Sequence, residues 1–281
     1  MTEKEKDLAE LEKIVSAQHD NADAHFKLAL LYSTEGEKEK AIALMRKALE
    51  LQPENYEYYF FLGTFYFDLK ENNIALEYLE EAIAKKPEFT PAYICIGRIY
   101  LEEKNDEKAK DYFLSALAFE PENEEALFAL GNIHYFHADY IKAIDFFTKI
   151  VEKNAFHFNA FFNLGNSFCK LKDFEEATYY FKQAFYIDPD NADAYYNLAF
   201  AYMGNNELEK AKKLLLGYND LYDKNGKVYL LLAKIYSLQK SAEKALEYLA
   251  KAVKIDPTLR QLSGDPEFDS IRNLIQFKEI M

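Results

Sequence analysis

Four asparagines, Asn132, Asn163, Asn166 and Asn197, carry the most informative chemistry in the sequence. A side-chain amide has two N–H donors and one acceptor oxygen. It can therefore bind the N–H and C=O of an extended peptide whatever that peptide's side chains are. Asn163 and Asn166 lie in the uncharged stretch FFNLGNSF, residues 161–168, among residues that otherwise read as core. The other candidate chemistry is thin. His134 and His137 are three residues apart and could ligate a metal together, but no third ligand stands at a convincing spacing, and no metal is expected. Cys95 and Cys169 show neither metal nor disulfide-framework spacing. The stretch GNNELEKAKK lacks the closing Gly-Lys-Ser/Thr of a phosphate-binding loop, and no G-x-S-x-G or H-E-x-x-H occurs. No cofactor and no enzymatic activity are expected.

The elements that must position these amides repeat along the chain. With Ala22 as position 1, a period of 34 residues runs without insertion or deletion through seven repeats. Position 20 is Ala in every one, at Ala41, Ala75, Ala109, Ala143, Ala177, Ala211 and Ala245. Position 7 is Leu or Ile, position 8 is always Gly or Ala, and position 32 is Pro in five repeats. Apolar residues at positions 4, 7 and 11 share one face of a first helix, and positions 20, 24, 27 and 28 do the same for a second. The small residues at 8 and 20 let the two backbones approach closely. Pro at 32 ends the second helix, because it lacks an N–H and restricts the residue before it.

This pattern resembles the tetratricopeptide repeat family: an aromatic at 4, Leu-Gly at 7 and 8, Tyr at 11, Ala at 20, Phe at 24, Ala at 27 and Pro at 32. Stretches such as YYNLAFAY and YFFLGTFY carry it. The resemblance implies an all-α, right-handed α-solenoid whose first helices line a concave wall. The repeats are placed at 22–55, 56–89, 90–123, 124–157, 158–191, 192–225 and 226–257. Residues 1–21 are read as an N-terminal half-repeat cap and 258–281 as a capping helix and tail, since a terminal repeat cannot bury its outer face alone. Two repeats depart from the pattern: Ile150 and Ala155 replace the usual Ala and Pro in the fourth, and Gly217, Tyr218 and Asp223 stand out in the sixth. Altered twist or a frayed second helix is expected near 216–226, because Gly inside a helix costs about 1 kcal/mol relative to Ala.

On the first helices, positions 5, 6 and 9 form a second stripe beside the core stripe, and by the family resemblance this stripe faces the groove. Position 5 supplies an apolar track, Phe26, Phe60, Ile94, Phe128, Phe162, Tyr196 and Leu230. Positions 6 and 9 add Phe61, Arg98, Asn132, Asn163, Asn166, Asn197 and Phe200. Asn132 with Asn163, and Asn166 with Asn197, form two staggered pairs on adjacent repeats. They resemble the asparagine ladder of the peptide-holding superhelix in O-linked N-acetylglucosamine transferases. The carboxylate clamp of Hsp70/Hsp90 co-chaperones also uses an Asn pair, but its cationic positions here hold Phe128, Asp193 and Asn197, so that clamp is rejected. Two plainer alternatives stay open: the amides satisfy neighbouring groups, and the rings pack on one another.

Net charge is -14, so nucleic acid and anionic membrane surfaces repel the chain as a whole. The first residues, MTEKEKDLAE, show no signal-peptide pattern, and no apolar run is long enough to span a bilayer. A cytoplasmic protein without membrane insertion is expected. The second repeat has three Lys and seven acidic residues, the seventh six Lys and three acidic residues. That asymmetry permits weak head-to-tail self-association. The expected role is a scaffold that binds a peptide or helical segment of a partner protein in its groove. The alternative is a structural subunit of a larger assembly that uses its convex face or its ends.

Overall fold

Most repeats start on an asparagine. Asn21, Asn55, Asn123, Asn191 and Asn225 each precede a first helix, and each side-chain oxygen accepts a backbone N–H of the first turn at 2.9 to 3.1 Å. This cap satisfies one of the donors a helix start leaves unpaired. Before the fifth repeat His157 does the same through Nδ1, which accepts from the Ala160 N–H at 3.0 Å.

The computed structural model describes residues 3–221 and 225–281, with side chains for 6–218 and 225–281. The chain divides into two compact bodies, residues 1–133 and 134–281. The first holds α1 (Glu3–Ala17), α2 (Ala22–Thr34), α3 (Lys38–Leu51), α4 (Tyr56–Asp68), α5 (Asn72–Lys85), α6 (Thr90–Glu102), α7 (Asp106–Phe119) and α8 (Glu124–Phe136) as far as residue 133. The second continues with α9 (Tyr140–Lys153), α10 (Phe158–Lys170), α11 (Phe174–Ile187), α12 (Ala192–Gly204), α13 (Leu208–Leu221), α14 (Gly226–Leu238), α15 (Ala242–Ile255) and α16 (Ile275–Ile280). The chain is all-α, and each body is a stretch of α-solenoid built from consecutive helix pairs. Even-numbered helices from α2 to α14 are first helices, and their odd-numbered successors are second helices.

One turn recurs inside every repeat. Position 15 is left-handed at Gly36, Lys70, Lys104, Ala138, Lys172, Asn206 and Lys240, with φ between 59° and 80°. The N–H after it returns to the carbonyl of position 11, as in Glu71 to Tyr66 at 3.0 Å, and the left-handed residue bonds three residues back, as in Lys70 to Phe67 at 2.9 Å. This is the Schellman arrangement, which satisfies the last carbonyls of the first helix. In the third, fourth and fifth repeats the position-16 side chain, Asn105, Asp139 or Asp173, then caps the second helix, as Asp173 does for the Glu176 N–H at 3.2 Å.

The close approach of paired helices is explicit at position 8. A Cβ added at Gly63 would stand 2.6 Å from Leu79, at Gly97 2.8 Å from Phe113, and at Gly165 2.6 Å from Phe181. The partner is position 24 of the same repeat each time. Repeats with Ala at position 8 carry Met45, Leu215 or Leu249 there instead. Position-20 alanines are fully buried in all seven repeats, which is why no larger residue appears there.

Loss of Pro at position 32 does not disturb the fourth repeat: α9 ends at Lys153, and the Asn154 N–H bonds the Ile150 carbonyl at 2.8 Å. The sixth repeat shows no fraying up to Leu221. Tyr218 is buried against Tyr195, with ring centroids 5.2 Å apart, so the ring finds its room on the first helix of its own repeat. The remainder of that expectation falls on residues 222–224, outside the described residues.

Where a single C-terminal capping helix is expected, the chain makes two 3-10 segments, Pro257–Gly264 and Pro266–Phe268, and then α16. Phe268 and Ile271 are fully buried. Lys234 of α14 pairs with Asp265 at 2.5 Å and with Glu267 at 3.7 Å. Ser270 Oγ donates to the Ser237 carbonyl at 2.8 Å.

Candidate functional site: the second stripe of the first helices

In the first body the position-5 and position-6 rings pack on each other. Phe26 lies 5.2 Å from Tyr58 and 5.3 Å from Phe61, and Phe60 lies 5.3 Å from Phe61 and 5.1 Å from Phe89, centroid to centroid. Phe26, Phe60 and Phe61 stay half-buried, so part of each remains accessible. Such tilted and edge-on pairs are the arrangements that the ring quadrupole favours. Ile94 and Cys95 are buried instead, leaving little surface there for a ligand. Arg98 is exposed, 5.8 Å above the Phe67 ring and 3.8 Å from Glu125. Phe128 and Asn132 are half-buried on α8.

In the second body, α10 and α12 are in direct contact and bring the remaining candidates together. Phe162 is half-buried, stacked on Phe158 at 5.6 Å and edge-on to Phe181 at 5.6 Å. Asn163 and Asn166 are half-buried beside it. The Asn163 carbonyl accepts from Ser167 Oγ at 2.7 Å, which fixes the backbone that carries the amide. On α12, Asn197 Nδ2 donates to the Asp193 carbonyl at 2.9 Å, one turn earlier. Its second N–H and its carbonyl oxygen take no part in that bond. Tyr196 is half-buried, and burial raises its hydroxyl above the usual tyrosine range. Phe200 meets Phe174 edge-on at 6.2 Å.

The apolar track does not continue into the seventh repeat. Leu230 and Leu231 are buried in one cluster with Phe268, Ile271 and Phe277, so the chain's own C-terminal segment covers this part of the stripe. The stripe in the second body therefore presents Phe162, Asn163, Asn166, Tyr196, Asn197 and Phe200, with rings and amides interleaved.

The reactive groups are held for packing. Burial pushes the thiols of Cys95 and Cys169 up to about 11, so neither is a thiolate nucleophile near neutral pH. His134 stacks on Phe146 at 5.5 Å and places Nδ1 3.3 Å from Asp139 Oδ2, while His137 is exposed. Among the described residues, no group of three or more His, Cys, Asp or Glu could hold a metal ion. No described helix is long and apolar enough to cross a membrane.

The second helices hold a feature that sequence reading passed over, a cavity of about 440 Å³ bounded by α11, α12 and α13. Its signal was present in the sequence: Leu214 at position 23, where five other repeats carry an aromatic, and Gly217 three residues on.

Comparison with known proteins agrees with this architecture. One tetratricopeptide repeat family model matches residues 22–55, 56–89, 90–123 and 226–259, and a second matches residues 170–235. The C-terminal part of a TPR repeat-containing protein from Cytophaga hutchinsonii is similar in structure, with TM-score 0.67, 16% identity, and 88% of this chain and 99% of that chain covered. A tetratricopeptide repeat protein from Parabacteroides merdae aligns with TM-score 0.58 and 20% identity, covering 86% of this chain and 96% of that one. YrrB, described as a TPR protein with an unusual peptide-binding site, aligns with TM-score 0.53 and 24% identity over 66% of this chain and 95% of that one. At these identities the likeness is one of fold. A search of curated protein sequences gave no significant match.

Proposed function

Because the chain belongs to the tetratricopeptide repeat family, we propose that it is a non-enzymatic, cytoplasmic scaffold that holds an extended segment of a partner protein on its first helices. In the general sense, a protein-interaction scaffold is what the repeats themselves support. The observation that carries the finer reading is the interleaving on α10 and α12 of half-exposed amides, Asn163, Asn166 and Asn197, with the rings of Phe162, Tyr196 and Phe200. Amides hold a peptide's backbone, and rings take its apolar side chains. YrrB, similar in fold, is described as having a peptide-binding site, so a peptide is the ligand class to test first.

The test selects peptides from a display library on the full chain and measures their affinity for wild type and for Asn163→Ala/Asn197→Ala. Two backbone hydrogen bonds at about 0.5 to 1.5 kcal/mol each correspond to a loss of roughly 5- to 150-fold. N-methylation of the peptide backbone should weaken binding as well. Selected peptides that bind the double variant as tightly as wild type would remove these amides from the site.

A further inference from the structure

In the second, third, fourth, fifth and seventh repeats an aromatic at position 23 of the second helix lies flat on the aromatic at position 11 of the first. The pairs are Tyr66–Tyr78, Tyr100–Tyr112, His134–Phe146, Phe168–Tyr180 and Tyr236–Tyr248, with centroids 5.3 to 5.6 Å apart and interplanar angles of 2° to 24°. The sixth repeat keeps the lower ring, Tyr202, but has Leu214 in place of the upper one. One turn further along α13, Gly217 adds no side chain, and a Cβ built there meets nothing within 4 Å. The result is the cavity of about 440 Å³ beside Tyr202.

Its rim is cationic. Lys182, Lys210 and Lys213 line it, with Lys182 Nζ 5.4 Å and Lys210 Nζ 5.6 Å from the Tyr202 ring centroid. Glu207 pairs with Lys210 and feels Lys182, and the two lysines hold its carboxyl below the usual range. The lining itself contains no acidic residue, on a chain whose net charge is -14. Tyr186, 73% exposed, stands at the edge as a second aromatic wall. The corresponding place between α3 and α5 has the opposite character. There Tyr78 occupies position 23, stacked on Tyr66, and three acidic residues, Glu77, Glu80 and Glu81, rim it beside one cation, Arg46.

We propose that the cavity between α11, α12 and α13 is a binding site for an aromatic side chain of a partner protein, set among acidic residues. The ring would stack on Tyr202 in the place that an aromatic at position 23 fills in five other repeats, and the carboxylates would meet Lys182 and Lys213, Lys210 being already paired with Glu207. Cation–π geometry between lysines and Tyr202 already polarises that ring face, and an incoming aromatic completes the stack. This site lies on the second helices and does not depend on the amides of α10 and α12.

Isothermal titration calorimetry with the unlabelled peptide GEDYDEG on the full chain tests the proposal. Saturable binding is expected, weakened at least about tenfold in Leu214→Tyr, which restores the missing ring. Replacing the peptide's tyrosine by alanine, or raising NaCl to about 0.5 M, should weaken it similarly. Asn163→Ala/Asn197→Ala should leave it unchanged. A thermal melt checks the Leu214→Tyr fold, and if it melts below wild type, Lys182→Glu/Lys213→Glu takes its place with the same expected loss. No saturation by about 1 mM peptide overturns the site. So does affinity that is untouched in the cavity variants, or that is lost in the asparagine variant.

Discussion

Gly165 and Gly217 both lie inside continuous helices, yet adding one methyl group to each has opposite consequences. At Gly165 the new Cβ would stand 2.6 to 2.8 Å from three atoms of the Phe181 ring, and that ring is itself buried. Overpacking of this kind costs about 1 to 3 kcal/mol, more than the roughly 1 kcal/mol that Ala gains over Gly in a helix. Gly165→Ala is therefore expected to melt below wild type. Adding Phe181→Leu should recover part of the loss, because it recreates the pairing of Ala199 with Leu215. At Gly217 nothing stands within 4 Å, so Gly217→Ala should raise stability by about 0.5 to 1 kcal/mol. Denaturant titrations of the variants decide it, and a Gly165→Ala protein as stable as wild type would refute the close-approach account. The small residue at position 8 was legible in the sequence. Its link to the identity of position 24 becomes visible only when the two helices are seen to touch.

At the scale of elements, the turn between paired helices is the least expected feature. A left-handed residue normally announces itself as Gly or Asn, yet here position 15 is Lys in four repeats and Ala in the fourth. The two backbone bonds of the Schellman motif, present in all seven repeats, impose the conformation whatever the residue. Ala138, at φ 60°, gains nothing from a polar side chain there, and an L-residue in this region costs about 1 to 2 kcal/mol. Ala138→Gly should raise the melting temperature, by about 0.5 to 1 kcal/mol in stability after the entropy cost of Gly. An unchanged or lowered melting temperature would mean that the turn is not strained. Helix pairs and core stripes could be read directly, because apolar periodicity determines them. The left-handed turn could not, since hydrogen bonds rather than residue type select it. Pro at position 32 proved a dispensable signal: α9 stops at the same register without it.

For the molecule as a whole, the termini behave differently from the repeats. The C-terminal segment buries Phe268, Ile271 and Phe277 in the cluster that contains Leu230 and Leu231. Full burial of each such side chain is worth about 1.5 to 3 kcal/mol. Deleting residues 258–281 should therefore destabilise the last repeat first, because repeats are held by their neighbours. Hydrogen exchange should show α14 and α15 losing protection well before α10 and α11, and unaltered exchange in α14 would show that the segment is not a cap. The candidate stripe was legible only in part. Position numbers picked out the amides and rings, but which of them stay accessible depends on the tail that covers Leu230 and on the burial of Ile94, and neither follows from a period of 34. The pairing of position 8 with position 24 has a further consequence, for descent. Both members of each pair lie in the same repeat, so a duplication or deletion that breaks between repeats inherits them together. A breakpoint at the left-handed turn would instead join an alanine-bearing first helix, such as that of Ala199, to a phenylalanine-bearing second helix, such as that of Phe181. The heritable module is thus the whole helix pair, and viable length variants of this chain should differ in steps of 34 residues.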